Sequence, residues 1–253
     1  MLNCTRLGLL LMLLSCAGAA TAEQPLTYVT EAYPPYNFSD NNILRGIAVD
    51  LLVLASQKTT APVQRSQIRL MPWARSYRTT LKTPNYVLFS TARTPEREKL
   101  FKWAGPITTN RVVLLAKKSR GMRINSPADL QHLRIGSIRD DVAEQLVRAL
   151  GVQESQLSLA ANGDALAHQL QAGRIDLWAY DQNVAQWFLR NAGFDPDDFE
   201  SLYTLQEGQL WYAFNLEVSD AQVAELQKAL DAIRQAPGIS GKTRYDDILL
   251  DYL

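Results

Sequence analysis

Strand-like and helix-like segments alternate along most of this chain, and the alternation is the feature that most restricts its fold. Short apolar runs predict strands at 26–30, 68–70, 86–90, 112–116, 133–138 and 175–180. Helical spacing or capping signals predict helices at 47–58, 75–81, 142–150, 164–171 and 219–235, with further helices starting at Thr94 and Ser126. Strands separated by helices form mainly parallel sheets covered by helices. The sequence therefore predicts an α/β fold.

Charged and aromatic residues follow the predicted strands at the points where the strands end. They are Tyr33, Trp73, Arg97, Arg139 and Asp181. Ligands of α/β sheets bind outside the carboxyl ends of the strands. We therefore predict that this set borders a binding cleft.

The N-terminus has the pattern of a secretory leader. Arg6 precedes an apolar run from Leu7 to Leu14, and small residues follow up to Ala22. The apolar run is shorter than the roughly 20 residues that a membrane-spanning helix needs. Cleavage after Ala22 would release the mature protein into the periplasm, with residues 1–22 as the signal peptide.

Cys16 allows a second interpretation of the leader. The sequence Leu13-Leu14-Ser15-Cys16 is similar to a lipoprotein box, in which Cys16 would carry the lipid anchor. The other cysteine, Cys4, also lies in the leader, so the mature chain has no thiol for a disulfide, catalysis or metal binding.

Composition and motifs argue against several functions. The chain has 26 basic and 26 acidic residues, which gives no basic surplus to attract nucleic acid. The two histidines, His132 and His168, do not form a recognisable triad or zinc pattern, and no Gly-rich phosphate loop is present. Neither a cofactor nor a metal ion is expected.

Six segments, in order, resemble the family 3 periplasmic solute-binding proteins, whose best-known members bind polar amino acids. The segments are YPPYNF at 33–38, RGIAVDLL at 45–52, PWAR at 72–75, STARTPER at 90–97, FKWAGP at 101–106 and QAGRIDLWAYD at 171–181. The resemblance spans nearly the whole mature chain. It implies a type II periplasmic-binding-protein fold: two α/β lobes, each a mainly parallel sheet flanked by helices, with a ligand cleft between them.

The resemblance also implies domain boundaries. Residues 23–109 and 215–253 would form lobe 1, and residues 110–214 would form lobe 2. Two chain segments would cross between the lobes, and the C-terminal residues would complete lobe 1.

Particular residues take ligand-binding roles by the same resemblance. Arg97 would grip a ligand carboxylate through two parallel hydrogen bonds, and Asp181 would receive an amino group. Tyr33 and Trp73 would sandwich the ligand between aromatic faces, and Ser90 would offer a backbone or hydroxyl contact.

The sequence departs from the family pattern in the second lobe. Amino-acid binders usually have Gly-Thr or Gly-Ser after the second-lobe strand, whereas this chain has IRDDV at 138–142. Asp140 and Asp141 would compete with an anionic ligand, and Arg139 would compensate. Ala92 stands where the family usually has a small, often hydroxylated residue, and Asn85 stands where it commonly has Asp. Arg75 is predicted to lie at the rim of the cleft.

Three functions are compatible with these residues. The first is a monomeric, non-enzymatic binding protein that captures a small polar, carboxylate-bearing ligand by lobe closure and delivers it to an ABC-type membrane permease. The second is an enzyme similar to cyclohexadienyl dehydratases, with Glu31 or Asp140 as the cleft acid. The third is a stand-alone ligand sensor for a membrane kinase.

Overall fold

The computed structural model of this chain describes residues 24–252. The predicted leader, its cleavage point at Ala22 and the lipoprotein box at Cys16 lie outside these residues. The strands are β1 (Thr27–Thr30), β2 (Phe38–Asp40), β3 (Ile43–Arg45), β4 (Arg69–Leu70), β5 (Tyr86–Ala92), β6 (Lys102–Lys117), β7 (Ile135–Ile138), β8 (Leu157–Ala160), β9 (Leu177–Asp181) and β10 (Phe199–Phe214). The helices are α1 (Ile47–Ser56), α2 (Trp73–Lys82), α3 (Val142–Ala149), α4 (Gly163–Gln171), α5 (Gln182–Asn191), α6 (Asp220–Gln235) and α7 (Arg244–Leu250).

Eight strands form one sheet in the order β4-β1-β5-β10-β6-β9-β7-β8. Pairing is parallel at both ends, where β1 pairs with β4 and β5, and β7 pairs with β8 and β9. It is antiparallel in the middle, between β5, β10, β6 and β9. The predicted α/β fold with parallel sheets flanked by helices is confirmed.

The long strands β6 and β10 connect the two parallel ends. Each has 16 residues, and their pairing runs from Phe199 opposite Lys117 to Phe214 opposite Lys102. They correspond to the two crossing segments that the resemblance implied. The sequence indicated only residues 112–116 of β6 and nothing of β10, and the lobe boundaries at 109/110 and 214/215 stay a prediction.

Helix starts follow the capping signals in most places. Ser219 caps α6 by accepting a hydrogen bond from the backbone of Gln222, at 3.2 Å. The predicted helix at Ser126 is a single 3₁₀ turn, Pro127–Leu130, closed by a capping box with Asp129.

The predicted helix at Thr94 was wrong. Backbone hydrogen bonds there join Arg97 N to Thr94 O and Leu100 N to Arg97 O, which makes successive turns rather than α-helical bonds. The nine residues between β5 and β6 have to reverse the chain, and a single capping signal did not specify a helix across that reversal.

A continuous apolar core lies between the sheet and its helices. It includes fully buried residues of α1 such as Ile47 and Leu51, together with Leu114 on β6 and Trp178 on β9. In the described part of the chain, residues 24–252, no helix has the length and apolar character needed to cross a bilayer.

Candidate ligand-binding site

The residues after the parallel strands converge where the two ends of the sheet face each other. Tyr33, Trp73, Ser90, Arg97 and Asp181 are all buried there, with exposed fractions of 6% or less. Arg75, the third residue of α2, and Arg139, directly after β7, are exposed instead. The structure therefore brings together five of the seven predicted site residues.

Arg97 is a buried cation between two aromatic rings. Its guanidinium carbon lies 5.3 Å from the Trp73 ring centre and 5.1 Å from the Tyr77 ring centre, within the range of cation–π attraction. Nη1 and Nη2 make long hydrogen bonds of 3.4 and 3.3 Å to the carbonyls of Ala92 and Asp140. Nε has no hydrogen-bond acceptor among residues 24–252, so the guanidinium keeps unused donor capacity.

Two donors meet at the carbonyl of Asp140. Trp73 Nε1 lies 2.9 Å from this oxygen, and Arg97 Nη2 also points at it. The carbonyl follows β7, whereas both donors follow strands at the other end of the sheet. These bonds hold the facing surfaces against each other.

Asp181 ends β9 and caps α5. Its Oδ1 accepts hydrogen bonds from the backbone of Asn183, at 3.0 Å, and of Val184, at 3.1 Å. Oδ2 is buried and accepts none of standard geometry from the described chain. Burial raises the pKa of Asp181 to about 7, and hydrogen bonding from the backbone of Val184, Arg111 and Asn183 and from the Asn110 side chain opposes this rise.

Three tyrosines form the wall beside Asp181. The ring of Tyr33 lies 5.4 Å from Tyr36 and 5.5 Å from Tyr180, centre to centre. The hydroxyl of Tyr36 accepts a hydrogen bond from Asn183 Nδ2, at 3.3 Å. The buried hydroxyl of Tyr180 has no hydrogen-bond partner within residues 24–252, and it can therefore form a hydrogen bond with a ligand.

Ser90 is placed by its backbone as much as by its side chain. It adopts φ 56°, an uncommon left-handed conformation for a residue other than glycine. Its hydroxyl donates to Asn37 Oδ1, and Asn37 Nδ2 donates in turn to the carbonyl of Glu31, at 2.6 Å. The hydroxyl thus orients the loop after β1.

Two buried acids, Glu31 and Asp141, were not among the predicted binding residues. Glu31 follows β1 and is 7% exposed, and Asp141 precedes α3 and is 5% exposed. Burial is the largest cause that raises the pKa of both carboxyl groups, and the charge of Arg97 opposes it in both. The sequence analysis named Glu31 only as a cleft acid of the dehydratase-like alternative, and its position directly after β1 is a signal that also places it among the binding residues.

A polar groove of about 1050 Å³ runs beside the site along β6 and β10. Thr94, Asn110, Arg111, Asn183 and Trp211 line it among others. Thr94 belongs to the same loop as Arg97, and Asn183 lies in the first turn of α5, which Asp181 caps, so the groove borders the buried site.

A two-lobed α/β fold with its strand ends facing one buried polar cluster defines the class of periplasmic-binding-protein folds. The family of bacterial extracellular solute-binding proteins, family 3, matches residues 26–237. The chain belongs to this family. No match was found among curated proteins.

Three solved structures illustrate the similarity in fold. A histidine kinase sensor domain with similarity to periplasmic binding proteins is 19% identical, with 91% of this chain and 96% of that chain covered and a TM-score of 0.76. An ancestral arginine-binding protein bound to arginine is 19% identical, with 92% and 100% covered and a TM-score of 0.76. A substrate-binding protein of an ABC uptake transporter from Streptococcus pneumoniae, with bound histidine, is 16% identical, with 90% and 92% covered and a TM-score of 0.75. At these identities the similarity shows the fold alone.

Proposed function

We propose that this protein is an extracytoplasmic receptor that closes around a small polar ligand bearing a carboxylate, without chemically changing it, and presents the complex to a membrane permease of the ABC type. Membership in the solute-binding family supports the receptor role. The fold is shared with a transporter's substrate-binding protein and with a kinase sensor domain, and a membrane sensor is therefore the alternative partner.

The buried guanidinium of Arg97 is the observation that carries the proposed ligand chemistry. Buried charges need a partner because removing them from water is costly. Within residues 24–252 Arg97 donates only to two carbonyls, at 3.3 and 3.4 Å. A ligand carboxylate would provide two short charge-assisted hydrogen bonds in their place. Asp181, whose Oδ2 accepts no hydrogen bond of standard geometry from residues 24–252, would accept one from the amino group of the same ligand.

Arg97→Gln tests this role, with Arg93→Gln as the matched control. Arg93 also lies against aromatic rings, 4.6 Å from the Trp211 ring centre, but it is paired with Glu98 at 2.6 Å. Losing a buried charge-assisted contact costs about 2–5 kcal/mol, so Arg97→Gln should weaken binding of a carboxylate ligand at least about 30-fold by calorimetry. Arg93→Gln should leave the affinity within about threefold. Unchanged affinity in Arg97→Gln would show that Arg97 is not the carboxylate anchor.

The dehydratase-like alternative is favoured by one observation, the raised pKa of buried Glu31. Burial is the largest cause that raises the pKa of this carboxyl group, and a raised pKa suits a carboxyl group to act as a general acid. Asp140, the other candidate, has a side chain that is 44% exposed and faces Arg78 at 4.0 Å. Incubation with prephenate or arogenate separates the functions, because turnover that Glu31→Gln abolishes would replace the receptor proposal.

A further inference from the structure

The carbonyl of Asp140 joins the two parallel ends of the sheet through direct hydrogen bonds. Trp73 Nε1 donates to it at 2.9 Å, and Arg97 Nη2 donates to it at 3.3 Å. The Trp73 bond has the ordinary length, and it does not use the guanidinium that the proposed function assigns to the ligand. It can therefore persist when a carboxylate engages Arg97. The contact between the two ends then depends on where the Asp140 carbonyl points.

The Asp140 carbonyl is oriented by an unusual backbone conformation. Asp140 has φ 62°, a left-handed value that glycine adopts far more readily than other residues. The next backbone N–H, that of Asp141, donates to the carbonyl of Ile138 at 3.2 Å and closes a tight turn after β7. A residue with a Cβ is strained in this conformation relative to glycine. Asp140 therefore needs support from neighbouring groups to keep its carbonyl in place.

Glu144 gives this support from the first turn of α3. Its Oε2 accepts a hydrogen bond from the backbone N–H of Asp140 at 2.7 Å. Glu144 is itself buried, and its Oε1 accepts a hydrogen bond from Arg148 Nε at 2.9 Å. Arg148 pairs in turn with Glu154 at 2.5 Å. These contacts fix both oxygens of the Glu144 carboxylate, and the carboxylate fixes the backbone of Asp140.

A role in starting α3 does not by itself account for the bond between Glu144 and Asp140. In an ordinary capping box, the acid at the third helical position accepts a hydrogen bond from the backbone of the N-cap residue. The N-cap of α3 is Asp141, whose side chain accepts from Ala143 N at 2.9 Å and whose own N–H is used in the turn. Glu144 reaches one residue further, to Asp140. The bond therefore acts on the residue that contacts the other end of the sheet.

We propose that Glu144 is a positioning residue for closure of the cleft: it holds the backbone of Asp140 so that the Asp140 carbonyl receives the Trp73 indole N–H. The inference rests on the proposed function only for its consequence. A receptor whose closed arrangement is more populated binds its ligand more tightly, because a larger fraction of the protein is competent to bind. Glu144 thus raises ligand affinity without contacting the ligand.

Hydrogen exchange of the Trp73 indole, followed by NMR in the ligand-free full chain, tests this role. The chain has five tryptophans, and Trp73→Phe identifies the indole resonance of Trp73. Glu144→Ala should make this N–H exchange with solvent at least about tenfold faster. The indole of Trp178, fully buried on β9, reports general unfolding, and its exchange rate should not change. Equal acceleration at Trp73 and Trp178 would overturn the positioning role, because it would show a general loss of stability.

Glu154→Ala is the matched control, and Asp140→Gly is the rescue. Glu154 binds the same arginine as Glu144, but from a position where its side chain is 74% exposed. Its removal should leave Trp73 exchange within about twofold of the wild type. Glycine adopts positive φ without strain, so adding Asp140→Gly to Glu144→Ala should return Trp73 exchange to within about threefold of the wild type. Asp140→Gly would not restore a role of Glu144 elsewhere in α3, so failure of the rescue would overturn the proposal.

Glu144→Gln keeps the test decisive if Glu144→Ala does not fold. The amide preserves the side-chain volume but has one acceptor oxygen for the two donors on Asp140 and Arg148, so Trp73 exchange should be at least about threefold faster. Unchanged Trp73 exchange in the folded variant would overturn the positioning role. These measurements use no ligand, and they are therefore independent of the proposed function. If no carboxylate binds, the receptor proposal fails while the role of Glu144 stands.

Discussion

Asp181 is a buried carboxyl group whose charge should oppose folding at neutral pH. Asp181→Asn removes that charge and keeps the side-chain oxygen that caps α5, because Asn caps helices as well as Asp does. In the folded protein the pKa of Asp181 is raised to about 7 from an ordinary value of 3.8. A shift of roughly three units corresponds to about 4 kcal/mol, at 1.36 kcal/mol per unit.

The sign of the effect follows from proton binding. Between pH 4 and pH 7 the folded state binds a proton at Asp181 that the unfolded state has released, so the free energy of unfolding falls as the pH rises. The contribution is fully present below about pH 4 and is lost as the pH reaches about 7. Asp181→Asn should therefore match the wild type near pH 4 and be more stable by up to about 4 kcal/mol at pH 8.

Urea unfolding of the ligand-free protein at pH 4, 6 and 8 measures this difference, and bound ligand must be removed because it would add its own stabilisation. The expected gain corresponds to a rise in melting temperature of roughly 10 °C at pH 8. Asp164→Asn, at a side chain on α4 that is 57% exposed, is the control and should not change the pH dependence. If Asp181→Asn and the wild type lose stability in parallel between pH 4 and pH 8, the reasoning about Asp181 is wrong.

Two further predictions concern stability away from the site. Asp176→Asn should lower the free energy of unfolding by about 1–2 kcal/mol at pH 7, because Asp176 pairs with Arg120 and Arg134 at 3.0 Å and its pKa is lowered to about 2. This contribution is present above about pH 4 and is lost as the pH falls towards 2. In urea unfolding the stabilities of wild type and variant should therefore converge at pH 2. A difference that stays constant with pH would contradict this role of Asp176. Gly46→Ala should destabilise by more than about 2 kcal/mol, because φ is 119° and an added Cβ would lie 2.4 Å from the carbonyl oxygen of Tyr36. Gly151→Ala is the control for backbone strain without a clash, because φ is 89° and no atom lies within 4 Å of the added Cβ. In the same assay it should lower the free energy of unfolding by about 1 kcal/mol. Equal losses in both variants would refute the steric explanation.

Local sequence patterns were sufficient to predict the strands and helices whose apolar spacing or capping residues are recognisable. The strand that ends at Ile138 and the helix that follows Ser219 were predicted close to their observed bounds. The long strand β10 was missed because its sequence, FESLYTLQEGQLWYAF, mixes polar residues and a glycine with the apolar ones. Its strand conformation comes from pairing with β5 and β6, which no local pattern encodes.

The candidate site also combines features that the sequence predicts with features that depend on the tertiary structure. The sequence by itself determined the α/β class, the family resemblance and the position of Arg97 and Asp181 after predicted strands, because strand ends are marked locally and their topology brings them to one edge. Only the tertiary structure decided that Arg75 and Arg139 are exposed, and that Glu31 and Asp141 are buried together. Burial and the resulting pKa shifts depend on which surfaces face each other across the fold, and such long-range contacts leave no periodic signal in the chain.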